Sequence, residues 1–178
     1  MKIVTSPMCE EILKLCKIEN YIINKHPDTI KNVTIAITLS ETKTKCLSIK
    51  LKLNTPKQIL TSVETVSKYF NKEINSENVF KTYPEMEKLE KNIEYYRKRN
   101  RKTNVKVYSL FLKDIIEDLG YNIVDENYEY IIYPDYLKNN IIKEDKKLIE
   151  ISSHTNVSKN PIIRCINRYN FILNNINN

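Results

Sequence analysis

The chain is 178 residues long, enough for one domain with a proper core and short for two ordinary ones. Its composition, 41% hydrophobic and 29% charged, is a globular mixture, and no run approaches the roughly 18 consecutive apolar residues of a membrane helix. A single glycine, Gly120, excludes the glycine-rich phosphate loops of P-loop hydrolases and fingerprinted dinucleotide folds, and five positive charges of the net +7 sit together in Arg97, Lys98, Arg99, Arg101 and Lys102.

The chain opens with a short apolar strand, Lys2 to Thr5. Ser6 is a good N-cap and Pro7 suits a first helical position, so a helix is expected to start there, with Met8, Ile12, Leu13, Leu15 and Cys16 turned inward. Tyr21 to Ile23 reads as a short strand, and Val33 to Leu39, rich in β-branched residues, as a central strand buried on both faces. Cys46 to Leu53 alternates apolar and polar residues, the period of a half-exposed edge strand.

Thr55-Pro56-Lys57-Gln58 carries both a capping box and a proline at the first helical position, and residues 55–103 read as a helical insertion ending in the basic cluster. The second half then repeats the layout of the first. VKVYS stands where KIVTS stood, and LFLKDIIEDLG is a helix closed by Gly120 as a left-handed C-terminal residue. A short strand at Asn122 to Val124 follows, and YEYIIY matches VTIAITL. A strand at Lys147 to Ser152, a polar loop and a helix from Pro161 close the chain. Alternation of this kind predicts a small three-layer α/β fold of Rossmann or flavodoxin type. The expected sheet is mainly parallel, with about five strands, in one domain over 1–178 that is built as two similar βαβ halves.

Open parallel sheets bind ligands where their strands run out at the carboxyl edge. The exits here supply Ser6 and Cys9, Ser40 and Glu41, Asp135, and Ser153 and His154, which are the candidate ligand-binding residues. Cys9 in the first turn of its helix, with Glu41 and His154, would offer a thiol, a carboxylate and an imidazole, the donor types of a zinc or cobalt site or of a cysteine–histidine nucleophile pair. Cys16 and Cys165 fall on apolar helix stripes and read as core. The four cysteines contain no C-x-x-C pair, so reduced thiols are expected. The N-terminus lacks the apolar segment of a signal peptide, which makes the cytoplasm the expected location. The alternative reading is an interaction module in which Arg97, Lys98, Arg99, Arg101 and Lys102, behind Tyr95 and Tyr96, meet RNA or an acidic protein surface.

The paired motifs KIVTSPMCEEILKL and NVTIAITLSET resemble the opening of an uncharacterised archaeal family of the methanogenesis marker protein type. The resemblance covers about the first quarter of the chain. It implies a methanogen cytoplasm and a supporting role around methyl-coenzyme M reductase or its nickel tetrapyrrole, as an accessory or assembly factor, and it transfers no catalytic residue.

Overall fold

The computed structural model describes residues 1–141, 146–153 and 157–176. The chain forms two compact units, Met1–Glu87 with Ser158–Ile163 and Lys88–Val157 with Arg164–Asn178. The first holds strands β1 (Ile3–Thr5), β2 (Tyr21–Ile23), β3 (Ile35–Leu39) and β4 (Ser48–Leu51), with helices α1 (Glu10–Leu15), α2 (Pro56–Tyr69) and α3 (Ser76–Thr82). Helix α4 (Pro84–Asn100) carries the chain into the second unit, which holds β5 (Asn104–Val107), α5 (Leu110–Asp118), β6 (Asn122–Ile123), β7 (Tyr130–Pro134) and β8 (Lys147–Ile151). Helix α6 (Pro161–Ile176) begins in the first unit and ends in the second. No described helix is long and apolar enough to cross a membrane.

Each unit builds one four-stranded, wholly parallel sheet, ordered β2-β1-β3-β4 and β6-β5-β7-β8. The α/β class and the two similar halves expected from the sequence are present, but as two sheets of four rather than one of about five. The reason is pairing: among the described residues β4 pairs with β3 alone and the chain then enters helices, after which β5 pairs with β6 and β7. The repetition extends to the ladders. Thr5 stands opposite Ile37, whose carbonyl accepts the Ser6 N–H at 3.0 Å, and Val107 stands opposite Ile132, whose carbonyl accepts the Tyr108 N–H at 3.1 Å.

β3 is central and its Ile35, Ala36, Ile37 and Thr38 are all buried, as a continuous β-branched run requires, while β4 is an edge. The helices of 56–100 start where local chemistry permits. Thr55 Oγ1 accepts the Gln58 N–H and Gln58 Oε1 accepts the Asn54 N–H. Asn75, not Ser76, caps α3 in a reciprocal box with Asn78.

The first helix departs from expectation. α1 begins only at Glu10, after a turn over Pro7 to Cys9, and Ser6 does not cap it. The Ser6 N–H bonds the Ile37 carbonyl one residue past the end of β1, and the Ser6 carbonyl accepts the Cys9 N–H at 2.9 Å, closing the turn that separates the strand from the helix.

In the first unit, Tyr83 donates its hydroxyl to Glu11 at 2.6 Å and receives the Asn160 side-chain amide at 2.7 Å. Asn160 Oδ1 in turn accepts the N–H groups of Ile162 and Ile163. One asparagine thereby caps α6 and ties its start to α1 and the loop before α4.

Candidate functional site

In both sheets the chain turns opposite ways from the central pair, β1 and β3 in one unit, β5 and β7 in the other, so each pair marks a topological switch point whose carboxyl edge is the expected crevice.

At the first edge stand Ser6 after β1, Ser40 and Glu41 after β3, and Lys50 near the end of β4. Ser6 is only 6% exposed, and its Oγ has no hydrogen-bond partner among the described residues. The register Thr5 to Ile37 and Thr38 to Lys50 makes Ser6, Thr38 and Lys50 successive members of one cross-strand row, and the pleat turns such a row to one face. Lys50 Nζ donates to Thr38 Oγ1 at 3.2 Å and to the Thr42 carbonyl. Lys50 has no carboxylate partner among the described residues. Ser40 donates its hydroxyl to the exposed Glu41 at 2.7 Å. On the other face the Thr5 hydroxyl is satisfied by the carbonyls of Ser6 and Ile37.

At the second edge Asp135 and Ser153 meet. Asp135 Oδ1 accepts the Ser153 hydroxyl, the Ser153 N–H at 3.2 Å and the Tyr136 N–H at 3.0 Å. Arg168 donates to the carbonyls of Ser152 and Ser153, its guanidinium lies 4.6 Å from the Phe111 ring centroid, and its Nε has no partner among the described residues. Burial, with Arg164 beside it, lowers the Arg168 pKa to about 10.

The structure thus brings Ser6, Ser40 and Glu41 to one sheet edge and Asp135 and Ser153 to the other. Cys9 is fully buried, the position of a small core residue and not of an accessible ligand or nucleophile: α1 starts one residue after it, and the turn places its side chain in the core. His154 lies outside the described residues. Among the described residues no group of three His, Cys, Asp or Glu side chains could hold a metal ion.

Three contributors were not singled out by sequence reasoning. Thr38 reads as one more β-branched strand residue and Lys50 as the solvent side of an edge strand. Arg168 follows Arg164 by four residues on a helix with no other charged side chain, a signal that could have been noticed.

The basic cluster does not present five available cations. Arg97 donates through Nε and one terminal nitrogen to the Asp118 carbonyl and carboxylate, at 2.9 and 2.6 Å, and through the other to Glu94 at 2.5 Å. The Arg99 guanidinium lies 5.6 and 5.4 Å from the ring centroids of Tyr95 and Tyr96 and donates to Asn100. Lys98, Arg101 and Lys102 are exposed.

No family model matches the chain, and no curated protein does. Among solved structures it is similar to the SBP FpvC of P. aeruginosa in complex with Ni2+ (TM-score 0.66, 9% identity, covering 99% of this chain and 97% of that one). It is similar to a Zn(II)-bound variant of AdcAII from Streptococcus pneumoniae (TM-score 0.60, 11% identity, 97% of each chain). A third is the laminin binding protein Lmb of Streptococcus agalactiae, described as a bifunctional protein with adhesin and metal transporting activity (TM-score 0.60, 9% identity, 98% of this chain and 99% of that one). At these identities the likeness establishes the fold. It also corrects the resemblance to an archaeal methanogenesis marker family: the similar structures are those of bacterial metal-binding proteins.

Proposed function

We propose that the protein binds a small solute, without turning it over, at the carboxyl edge of its first sheet. The observation that carries this reading is the Ser6 hydroxyl, buried and unpartnered beside the switch point. A buried polar group left unpaired costs about 1–3 kcal/mol, and such a cost is retained at ligand sites, where the bound molecule removes it. The structural relatives described as Zn(II)-bound, Ni2+-bound or metal transporting support binding as the use of this fold. Among the described residues no three His, Cys, Asp or Glu donors converge. A polar solute held by hydroxyls and an ammonium fits them better.

Native mass spectrometry and elemental analysis of the protein as purified test this reading. A small molecule held at one copy per chain and released on unfolding is expected. Binding should raise the unfolding free energy by about 2.7 kcal/mol at a hundredfold excess over Kd. A chain that carries nothing, and that no member of a panel of metal ions and small metabolites stabilises, would refute it.

A further inference from the structure

We infer that the row Ser6, Thr38 and Lys50 is a seat for an oxyanion, so that the solute carries a carboxylate or phosphate group; this rests on the small-solute reading above. Lys50 stands opposite Thr38 on the neighbouring strand, and Ser6, one residue past the end of β1 and bonded through its N–H to the Ile37 carbonyl, lies on the other side of β3, with strands roughly 4.8 Å apart at the edge where the crossovers diverge.

The charge of the ligand follows from what the row already contains. A cation held by the hydroxyls of Ser6 and Thr38 would need the position beside Thr38 Oγ1, which the Lys50 ammonium takes at 3.2 Å. Lys50 is itself only partly satisfied: two acceptors, Thr38 Oγ1 and the Thr42 carbonyl, leave one of its three N–H donors, and no carboxylate neutralises it among the described residues. The Ser6 hydroxyl has a proton to donate and nothing to receive it. Thr38 accepts from Lys50, which leaves its own hydroxyl proton free to point along the row. One face of three neighbouring strands therefore offers hydroxyl, hydroxyl and ammonium donors, and the complementary ligand is an acceptor with negative charge. Glu41, the nearest carboxylate in sequence, is engaged by the Ser40 hydroxyl.

The test is calorimetric titration of the full chain with sodium phosphate and, separately, sodium acetate, against sodium chloride at equal ionic strength. The wild type, Ser6→Ala and Lys50→Met are compared, and the melting midpoint of each chain is measured without ligand. Saturable binding of at least one oxyanion is expected, stronger for phosphate if the solute is phosphorylated and for acetate if it is a carboxylic acid. Each substitution should weaken binding at least about tenfold, the usual loss for a hydrogen bond to a charged group. Ser6→Ala should leave the ligand-free midpoint unchanged or raise it, because the hydroxyl it removes has no partner. A structural role for that hydroxyl would lower the midpoint instead and overturn the proposal. Absence of saturable binding by either anion would also overturn it. A co-purifying solute that both variants hold as tightly as the wild type would overturn the oxyanion seat while leaving the small-solute reading intact.

Discussion

Gly120 approaches the backbone of Arg97 so closely that a β-carbon at position 120 would stand 2.4 Å from the Arg97 Cα and 2.8 Å from its carbonyl oxygen. The same glycine has φ +81°, in the left-handed region, where it follows α5. Two independent demands, conformation and space, thus fall on the one glycine of the chain. Gly120→Ala incurs left-handed strain of about 1–2 kcal/mol together with an overpacking cost of similar size. A loss of roughly 3 kcal/mol in denaturant-measured stability is expected. A loss below about 1 kcal/mol would show that α4 and α5 separate easily.

Tyr169 should make stability fall in alkali. Its hydroxyl is buried and donates to Asp118 Oδ2 at 2.6 Å, while Asp118 Oδ1 accepts from Arg97. Burial, reinforced by the charges of Cys165 and Asp118, raises its pKa far above the ordinary value of about 10. The folded chain keeps this proton when the unfolded chain releases it, so the contribution is complete below pH 10 and is lost as pH rises beyond. Each such proton steepens the decline by about 1.4 kcal/mol per pH unit. Tyr169→Phe should be less stable at pH 7 and should show a shallower decline above pH 10. Parallel pH profiles for the two proteins would contradict this assignment.

Asp28 clamps the loop before β4. Its carboxylate accepts the Thr44 hydroxyl at 2.6 Å, the Cys46 thiol at 3.2 Å and the N–H groups of Lys45 and Cys46. The Thr44 and Cys46 side chains, then the two backbone amides, hold its pKa down at about 2. A depressed carboxylate pKa contributes stability above its ordinary value near 4, and that stability is lost as pH falls from about 4 to 2. Asp28→Asn should speed hydrogen exchange at the Lys45 and Cys46 amides severalfold at neutral pH while leaving β3 amides protected. Unchanged exchange would mean that the loop is held by other contacts.

The thiols should separate by burial. Cys9, Cys16 and Cys165 are buried, and burial raises the pKa of Cys16 to about 12 and that of Cys165 as well, whereas Cys46 is partly exposed. Iodoacetamide near neutral pH should add one group to the folded protein, at Cys46, and four after denaturation, as mass spectrometry would record. Modification of Cys9 in the folded chain would contradict the core position assigned to it.

Features set by neighbours in the chain were legible in the sequence. The β-branched run ending at Leu39 became the buried central strand, Thr55 and Pro56 started α2, and Gly120 followed α5 with positive φ, because propensity, capping and backbone sterics act within a few residues. The repeated strand, helix, strand layout was legible for the same reason. Pairing over long distances was not. That the chain closes two four-stranded sheets depends on which edge β5 joins, and nothing local to VKVYS encodes that choice. The fate of Ser6 shows the same limit on a single residue. Locally it is a good helix cap, but the Ile37 carbonyl, 31 positions away in the chain, accepts its N–H and holds it against the sheet one residue past the end of β1. Its hydroxyl is buried there without a partner among the described residues, so the candidate site lies where a long-range bond and not the local cap positions the chain.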